Sequence, residues 1–492
     1  MISRVGRGLK LVLIVVAAIL ATLVAVRAWD SQRGPPLEPW HTYVPHELRA
    51  RAIDAMDWPE YVQVENGIFE SLRNKVTRRL PAWDRVPLNR YFEGSPIYPG
   101  RFRQDWNRSF IIEPDGEALG AVVLLHGLTD SPYSLRHIAE IYRSHGFVSV
   151  GVRLPGHGTV PAGLTDVEWE DWMAATRLAI REARRRGGPA KPLHIVGYST
   201  GGALALKYAL DSLDDERLSR PDRLVLISPM IGITRFARFA GLAALPAYFP
   251  AFAKAAWLDI MPEFNPFKYN SFPVNAGRQS HRLTQALQDE ITKGARRGAL
   301  TKLPPILTFQ SVVDFTVSTP AVVSDLYQRL PPIGGELVLF DINRSTPLGM
   351  LLRPSATDRL TGLLPSGPRN YRTTVIANDA LSGEVSERVV EAGGQAETVR
   401  ALGIAFPSDV YSLSHIALPF PPSDGLYGSN PDAGEDFGIR LGTVTPRGER
   451  NVLVASLDSL ARLTSNPFFP YLARRIEEGL PEERRKIEPS TP

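Results

Sequence analysis

The chain contains no cysteine, which excludes disulfide frameworks, thiolate nucleophiles, cysteine zinc sites and a lipidated N-terminal cysteine. A strong excess of one charge is also missing: 56 Lys and Arg stand against 52 Asp and Glu, a formal net charge of +4 over 492 residues. No basic run interleaved with aromatic residues is present, so no nucleic-acid partner is expected. Internal repeats are absent too. Apolar residues make up 43% and charged residues 22%. Those proportions exclude bulk disorder and a polytopic membrane protein, and allow one large domain with additions or two to three small ones.

One apolar run stands apart. Residues 11–26 (LVLIVVAAILATLVAV) carry no charge and follow Arg4, Arg7 and Lys10. Extended from Leu9 to Trp29 with Arg27 snorkelling, the run reaches about 21 residues, enough at about 1.5 Å per residue to cross a hydrocarbon core of about 30 Å. Residues 1–30 are therefore expected to be a membrane anchor, with the body outside the cytoplasm, in the periplasm. Cleavage near Val26-Arg27-Ala28, giving a secreted form, and burial as a core helix are the alternatives. Gly34-Pro35-Pro36, Pro39, Pro45 and Pro59 make residues 30–60 read as an extended linker rather than packed structure, and 31–108 as linker and N-terminal extension.

From Ser109 onward, β-rich runs at 121–125, 147–152, 193–196, 224–227, 306–309 and 337–340 alternate with amphipathic segments such as 135–143 and 203–210. Continuous apolar strands need cover on both faces, so the expected fold class is α/β with a mostly parallel sheet, over residues 109–480. Two stretches interrupt the alternation. Residues 231–300 include RFARFAGLAALPAYFPAFAKAAWL, either a cap over a substrate or an ordinary buried helical excursion. Residues 344–409 form a second insertion with a strand expected at 372–376 and no assigned role. Residues 481–492 read as a frayed tail.

The chemistry centres on Gly197-Tyr198-Ser199-Thr200-Gly201, followed by Gly202. A G-x-S-x-G match alone is weak. Here a strand leads in and a helix leads out, so Ser199 is expected on a tight strand-to-helix turn, the nucleophile elbow, where flanking glycines permit close backbone approach. The alternative is a packing turn with an incidental serine. An elbow needs an oxyanion hole, for which the N–H of Thr200 and that of Leu128, in His126-Gly127-Leu128, are the expected donors.

The elbow implies the order Ser, acid, His. Of nine histidines only His281 and His415 follow Ser199, and His281 falls in the cap segment, which selects His415 as base. His126 precedes the elbow and reads as a loop-shaping residue. Asp314, just past the 306–309 run, is the expected acid, with Asp341 as runner-up. Ser199 would attack once a neutral imidazole removes its proton, Asp314 would fix the tautomer, and no metal or organic cofactor is needed.

The segments HGLTDSPYS, VRLPGHG, GYSTGG, SVVDFTV and YSLSHIALP resemble the serine α/β-hydrolase family, in particular its bacterial carboxylesterase, monoacylglycerol lipase and lysophospholipase-like branch. The resemblance covers about residues 118–330 and 405–475. It implies the α/β-hydrolase fold, the triad Ser199, Asp314 and His415, oxyanion donors at Leu128 and Thr200, and hydrolysis of esters of acyl glycerols, lysolipids or small alcohols. Two departures stand out: about 100 residues separate Asp314 from His415, and the N-terminal segments are additions.

The apolar cap points to an acyl chain. An amidase or thioesterase with the same triad is a second reading, and a silent binding protein that keeps the fold a third. His157 reads as a turn residue that could border the pocket, and Trp169 and Trp172 as helix packing. Asn107-Arg108-Ser109 and Asn343-Arg344-Ser345 match the glycosylation pattern, which is short enough to recur by chance.

Overall fold

The computed structural model describes residues 34–232, 250–332, 334–346, 360–408, 410–443 and 462–481, with parts of 10–29. The tail after 481 and part of the apolar run at 11–26 fall outside these residues. Among the described residues no helix is long and apolar enough to cross a membrane.

The segment expected as an extended linker is instead packed structure from Pro39 onward. Helices α1 (Pro39–Thr42), α2 (Ala50–Ala55) and α3 (Trp58–Lys75) follow in succession. Pro39 and Pro59 sit in the first turns of α1 and α3, where a missing N–H costs nothing, so these prolines start helices rather than prevent them. Asp57 and Glu60 form a capping box at the start of α3. Trp40, Ile53, Trp58 and Tyr61 are buried, and Trp40 stacks on Tyr91 with ring centroids 5.3 Å apart.

Charge fixes this segment to the body. Arg153, fully buried, is clamped by Glu47 through Nη1 and Nη2 (2.9 and 3.0 Å) and by Glu65 through Nε (3.1 Å). Glu65 also accepts from the N–H and hydroxyl of Ser109. Tyr61 donates to the Arg153 carbonyl at 2.6 Å.

Among the described residues the body has twelve strands: β1 (Phe110–Ile112), β2 (Gly120–Leu125), β3 (Phe147–Val152), β4 (Leu193–Tyr198), β5 (Arg223–Ile227), β6 (Trp257–Asp259), β7 (Phe272–Pro273), β8 (Ile306–Ser311), β9 (Glu336–Phe340), β10 (Arg372–Asn378), β11 (Glu384–Val390) and β12 (Glu397–Ala405). Ten form one sheet in the order β1-β3-β2-β4-β5-β8-β9-β10-β11-β12. Six of its nine neighbouring pairs are parallel. The β6–β7 pair stands apart.

Helices α4 (Arg136–Ser144), α5 (Trp169–Gly187), α6 (Thr200–Asp214), α7 (Val274–Arg296) and α8 (Phe469–Glu477) cover the sheet. In β2, Ala121, Val123 and Leu125 face one core with α5, α6 and α7, while Val122 and Leu124 face a second with α4 and α8. This is the α/β-hydrolase fold: a mostly parallel central sheet flanked by helices.

The second insertion extends the sheet. The strand expected at 372–376 is β10, parallel to β9, and β11 and β12 follow antiparallel. Asn343 pins the chain where it returns: its N–H donates to the Tyr411 carbonyl and its side chain to those of Pro407 and Val410. Asn107 and Asn343 are both fully buried, so neither side chain is presented for glycosylation in this fold.

Candidate active site

Strand β4 delivers Ser199 to the first turn of α6 with φ 55° and ψ −114°, in the left-handed half of backbone space that non-glycine residues rarely occupy. The turn is crossed at very short range. A Cβ at Gly201 would overlap the Leu125 carbonyl, and one at Gly197 would overlap Gly201. These glycines bring the end of β2 against the start of α6. Ser199 is held from both sides: its N–H donates to the Ile227 carbonyl at 2.9 Å, and its carbonyl accepts from Met230 N–H at 3.0 Å.

Leu128 and Thr200 line the same pocket as Ser199 and His415, a space of about 510 Å³. Their N–H groups donate to no acceptor among the described residues. Thr129, next to Leu128, also has a positive φ of 61°, and its carbonyl accepts from Tyr269 N–H at 2.7 Å, which fixes the loop.

His415 Nδ1 and Asp314 Oδ2 are 2.8 Å apart, with both side chains buried. Asp314 Oδ1 accepts from the N–H groups of Thr316 and Val317, and Gln310 Nε2 donates to Oδ2. Burial alone would raise the Asp314 pKa. The His415 charge and hydrogen bond, joined by the two backbone donors, outweigh burial and hold the carboxyl below its usual range. An ionised carboxylate can only accept, so the neutral imidazole carries its proton on Nδ1 and leaves Nε2 as the basic nitrogen. The His415 loop is anchored by Ser311 Oγ donating to the Leu413 carbonyl and by Tyr198 OH donating to the His415 carbonyl.

The other residues singled out in the sequence lie elsewhere. Asp341 is bound to Arg344 through Oδ2 (2.9 and 2.8 Å). His126 accepts from Leu154 N–H on Nε2 and faces the Gly127 carbonyl with Nδ1, and burial pushes its pKa down to about 3. It ties two loops together as a neutral ring. His157 is fully buried beside it, ring centroids 5.0 Å apart. His281 lies on α7 and does not line the pocket. Trp172 is buried and donates to the Pro155 carbonyl, and neither it nor Trp169 reaches the pocket.

Residues 233–249 of the expected cap lie outside the described residues. The described remainder contributes Leu258, Lys268, Tyr269, Phe272, Gly277 and Ser280, among others, to the pocket. Lys268 and Arg462 line the pocket with Ser199, and no sequence pattern marked either of them.

One further cluster has metal-ligand chemistry: His137, Asp424 and Glu435 bring donor atoms within 4.8 Å of one another. Arg136 fills it. Its guanidinium binds Asp424 at 2.7 Å and also Glu435, while Tyr133 donates to the other Asp424 oxygen. Both carboxylates thus already hold a cation, and the cluster is a buried ion-pair network.

A family model described as the alpha/beta hydrolase family matches residues 122–403. A thermostable monoacylglycerol lipase of Bacillus sp. (strain H-257) is 33% identical over 88 residues, a match covering 18% of this chain and 34% of that lipase. The chain therefore matches about a third of that relative's length. Among solved structures, a soluble variant of monoglyceride lipase from Saccharomyces cerevisiae in complex with a substrate analog is 18% identical, with 47% of this chain and 81% of that one covered and a TM-score of 0.35. Monoacylglycerol lipase from Paleococcus ferrophilus is 16% identical, with 50% and 95% covered and a TM-score of 0.36. The family match spans more than half of the chain, including Leu128, Ser199 and Asp314, and the chain belongs to the alpha/beta hydrolase family.

Proposed function

We propose that this chain is a serine hydrolase that cleaves carboxylic esters, of acyl glycerols, lysolipids or related acyl compounds, through an acyl-enzyme intermediate. The observation that carries the reading is the convergence of a serine in an elbow with positive φ and a histidine bonded to a buried carboxylate on one pocket. Ser199 attacks the ester carbonyl as His415 Nε2 takes its proton. Asp314 stabilises the imidazolium, and the N–H groups of Leu128 and Thr200 receive the oxyanion. His415 then protonates the departing alcohol, and water reverses the sequence on the acyl-enzyme.

Segment 231–300 acts as the cap. It supplies the apolar Leu258 and Phe272, which suit an acyl chain, and the similarity to a monoacylglycerol lipase points the same way. The test is hydrolysis of p-nitrophenyl esters of increasing chain length by the full chain beside Ser199→Ala. A fall of several powers of ten in the variant is expected. Equal activity in wild type and variant, or none in either, rejects the reading and moves amide and thioester substrates forward.

A further inference from the structure

Resting on that ester-hydrolase reading, we infer that the pocket selects esters carrying an anionic group, held by Lys268 and Arg462. Both cations line the pocket with Ser199 and His415, against one carboxylate, Asp259, among the described lining residues. Counted this way, the lining carries one net positive charge before His415 is protonated. Lys268 Nζ donates to Thr129 Oγ1 at 3.1 Å and to the Leu128 carbonyl at 3.4 Å, both neutral acceptors. An ammonium has three donors, so one remains for a ligand.

The lysine is rigidly placed. Phe267 before it stacks on Tyr133, with centroids 4.1 Å apart, and Tyr269 after it donates to the Gly156 carbonyl. Burial, opposed by Asp130 and reinforced by Arg462, pushes the Lys268 pKa down. Asp130 offsets part of the cost of holding this cation in the pocket, but the ammonium's hydrogen-bond acceptors are both neutral, and an anionic ligand that bonds it directly relieves the remainder.

Arg462 stands beside the His415 and Asp314 loops. Its guanidinium donates to Thr316 Oγ1 at 2.7 Å, beside the turn that binds Asp314, and its carbonyl accepts from Ser414 Oγ at 2.8 Å, one residue before His415. Neither cation forms an ion pair with a carboxylate among the described residues. The departing alcohol must meet His415 to be protonated; Arg462, tied to the residue before His415, is assigned to the alcohol side, and Lys268, bonded to the Leu128 carbonyl, to the oxyanion loop. A phosphate on the alcohol, as in an acidic lysolipid, and a carboxylate on the acyl chain share the recognised chemistry.

The experiment measures kcat/KM for two matched pairs with the full chain: 1-acyl-lysophosphatidic acid against the monoacylglycerol of the same chain, and mono-p-nitrophenyl succinate against p-nitrophenyl butyrate. Wild type is expected to favour the anionic member of at least one pair. Lys268→Met and Arg462→Gln should each lower the anionic-to-neutral ratio about tenfold, the value of one charge-assisted contact, and Arg462→Lys should recover part of it. Response of the lysolipid pair places the anion on the alcohol; response of the succinate pair places it on the acyl chain. Should Lys268→Met not fold, Arg462→Gln carries the test.

Ratios unchanged by the substitutions, or a wild type that prefers the neutral member of both pairs, overturn the inference while leaving ester hydrolysis standing. Absence of Ser199-dependent hydrolysis of all four compounds overturns the ester reading itself.

Discussion

Asp314 spends all of its lone-pair directions on fixed donors: the imidazole and Gln310 on Oδ2, two backbone N–H groups on Oδ1. Its amide counterpart would present an NH2 group to at least one of these donors and favour the wrong imidazole tautomer. Asp314→Asn is therefore expected to lower kcat by roughly 10⁴-fold with little change in fold, measured beside far-UV circular dichroism. Retention of more than a tenth of the activity would point to Asp341 as the working acid. At this scale the sequence was legible where chemistry constrains local spacing: the glycines around Ser199, and the order that left His415. It was silent on Tyr198, Gln310, Lys268 and Arg462. Tyr198, Lys268 and Arg462 act through contacts with residues far along the chain, such as Lys268 with Thr129 and Arg462 with Thr316, and no short pattern encodes a contact of that kind; Gln310 sits only four residues from Asp314, but nothing in the sequence marks an amide as the carboxylate's second donor.

Among the elements, the parallel strands were readable because each is a mostly apolar run, with few polar residues, buried on both faces. Helices α1 to α3 were not. Their prolines and sparse apolar residues resemble a linker, and what docks them is a pairing of charges over long separations: Glu47 and Glu65 reach Arg153 across 106 and 88 residues. Removing one partner of such a network strands a buried guanidinium. Glu65→Ala is expected to lower stability by roughly 3–5 kcal/mol in urea unfolding; a loss below about 1 kcal/mol would show that the extension is not integral to the body. The same clamp touches the site, because Arg153 Nη1 also donates to the His157 carbonyl, and the Leu154 N–H donates to His126, two residues before Leu128.

Across the whole molecule, several imidazoles are stored in neutral form. Burial pushes the pKa of His126 and His194 down to about 3 and that of His41 to about 4, against 6.5 for an exposed ring. The sign follows directly: the unfolded chain binds more protons than the folded one between pH 6.5 and those lowered values, so stability present above pH 6.5 is lost on acidification. At pH 5 each fully neutral buried histidine contributes a penalty on the order of 2 kcal/mol. The melting temperature is expected to fall between pH 7 and pH 5, and His194→Gln should flatten that fall. A Tm independent of pH over this range would show that these rings take up protons in the folded state.

The docked N-terminal helices also set a length. Had residues 31–108 been free chain, a body joined to the anchor expected from the sequence could have ranged some 260 Å from the bilayer at about 3.3 Å per residue. With chain fixed from Pro39 onward, only residues 27–38 separate the apolar run from folded structure, a leash of about 40 Å at full extension. An enzyme so tied would work like a grazing animal on a short rope, reaching only the patch of surface beside its stake, while dissolved esters would have to diffuse to it.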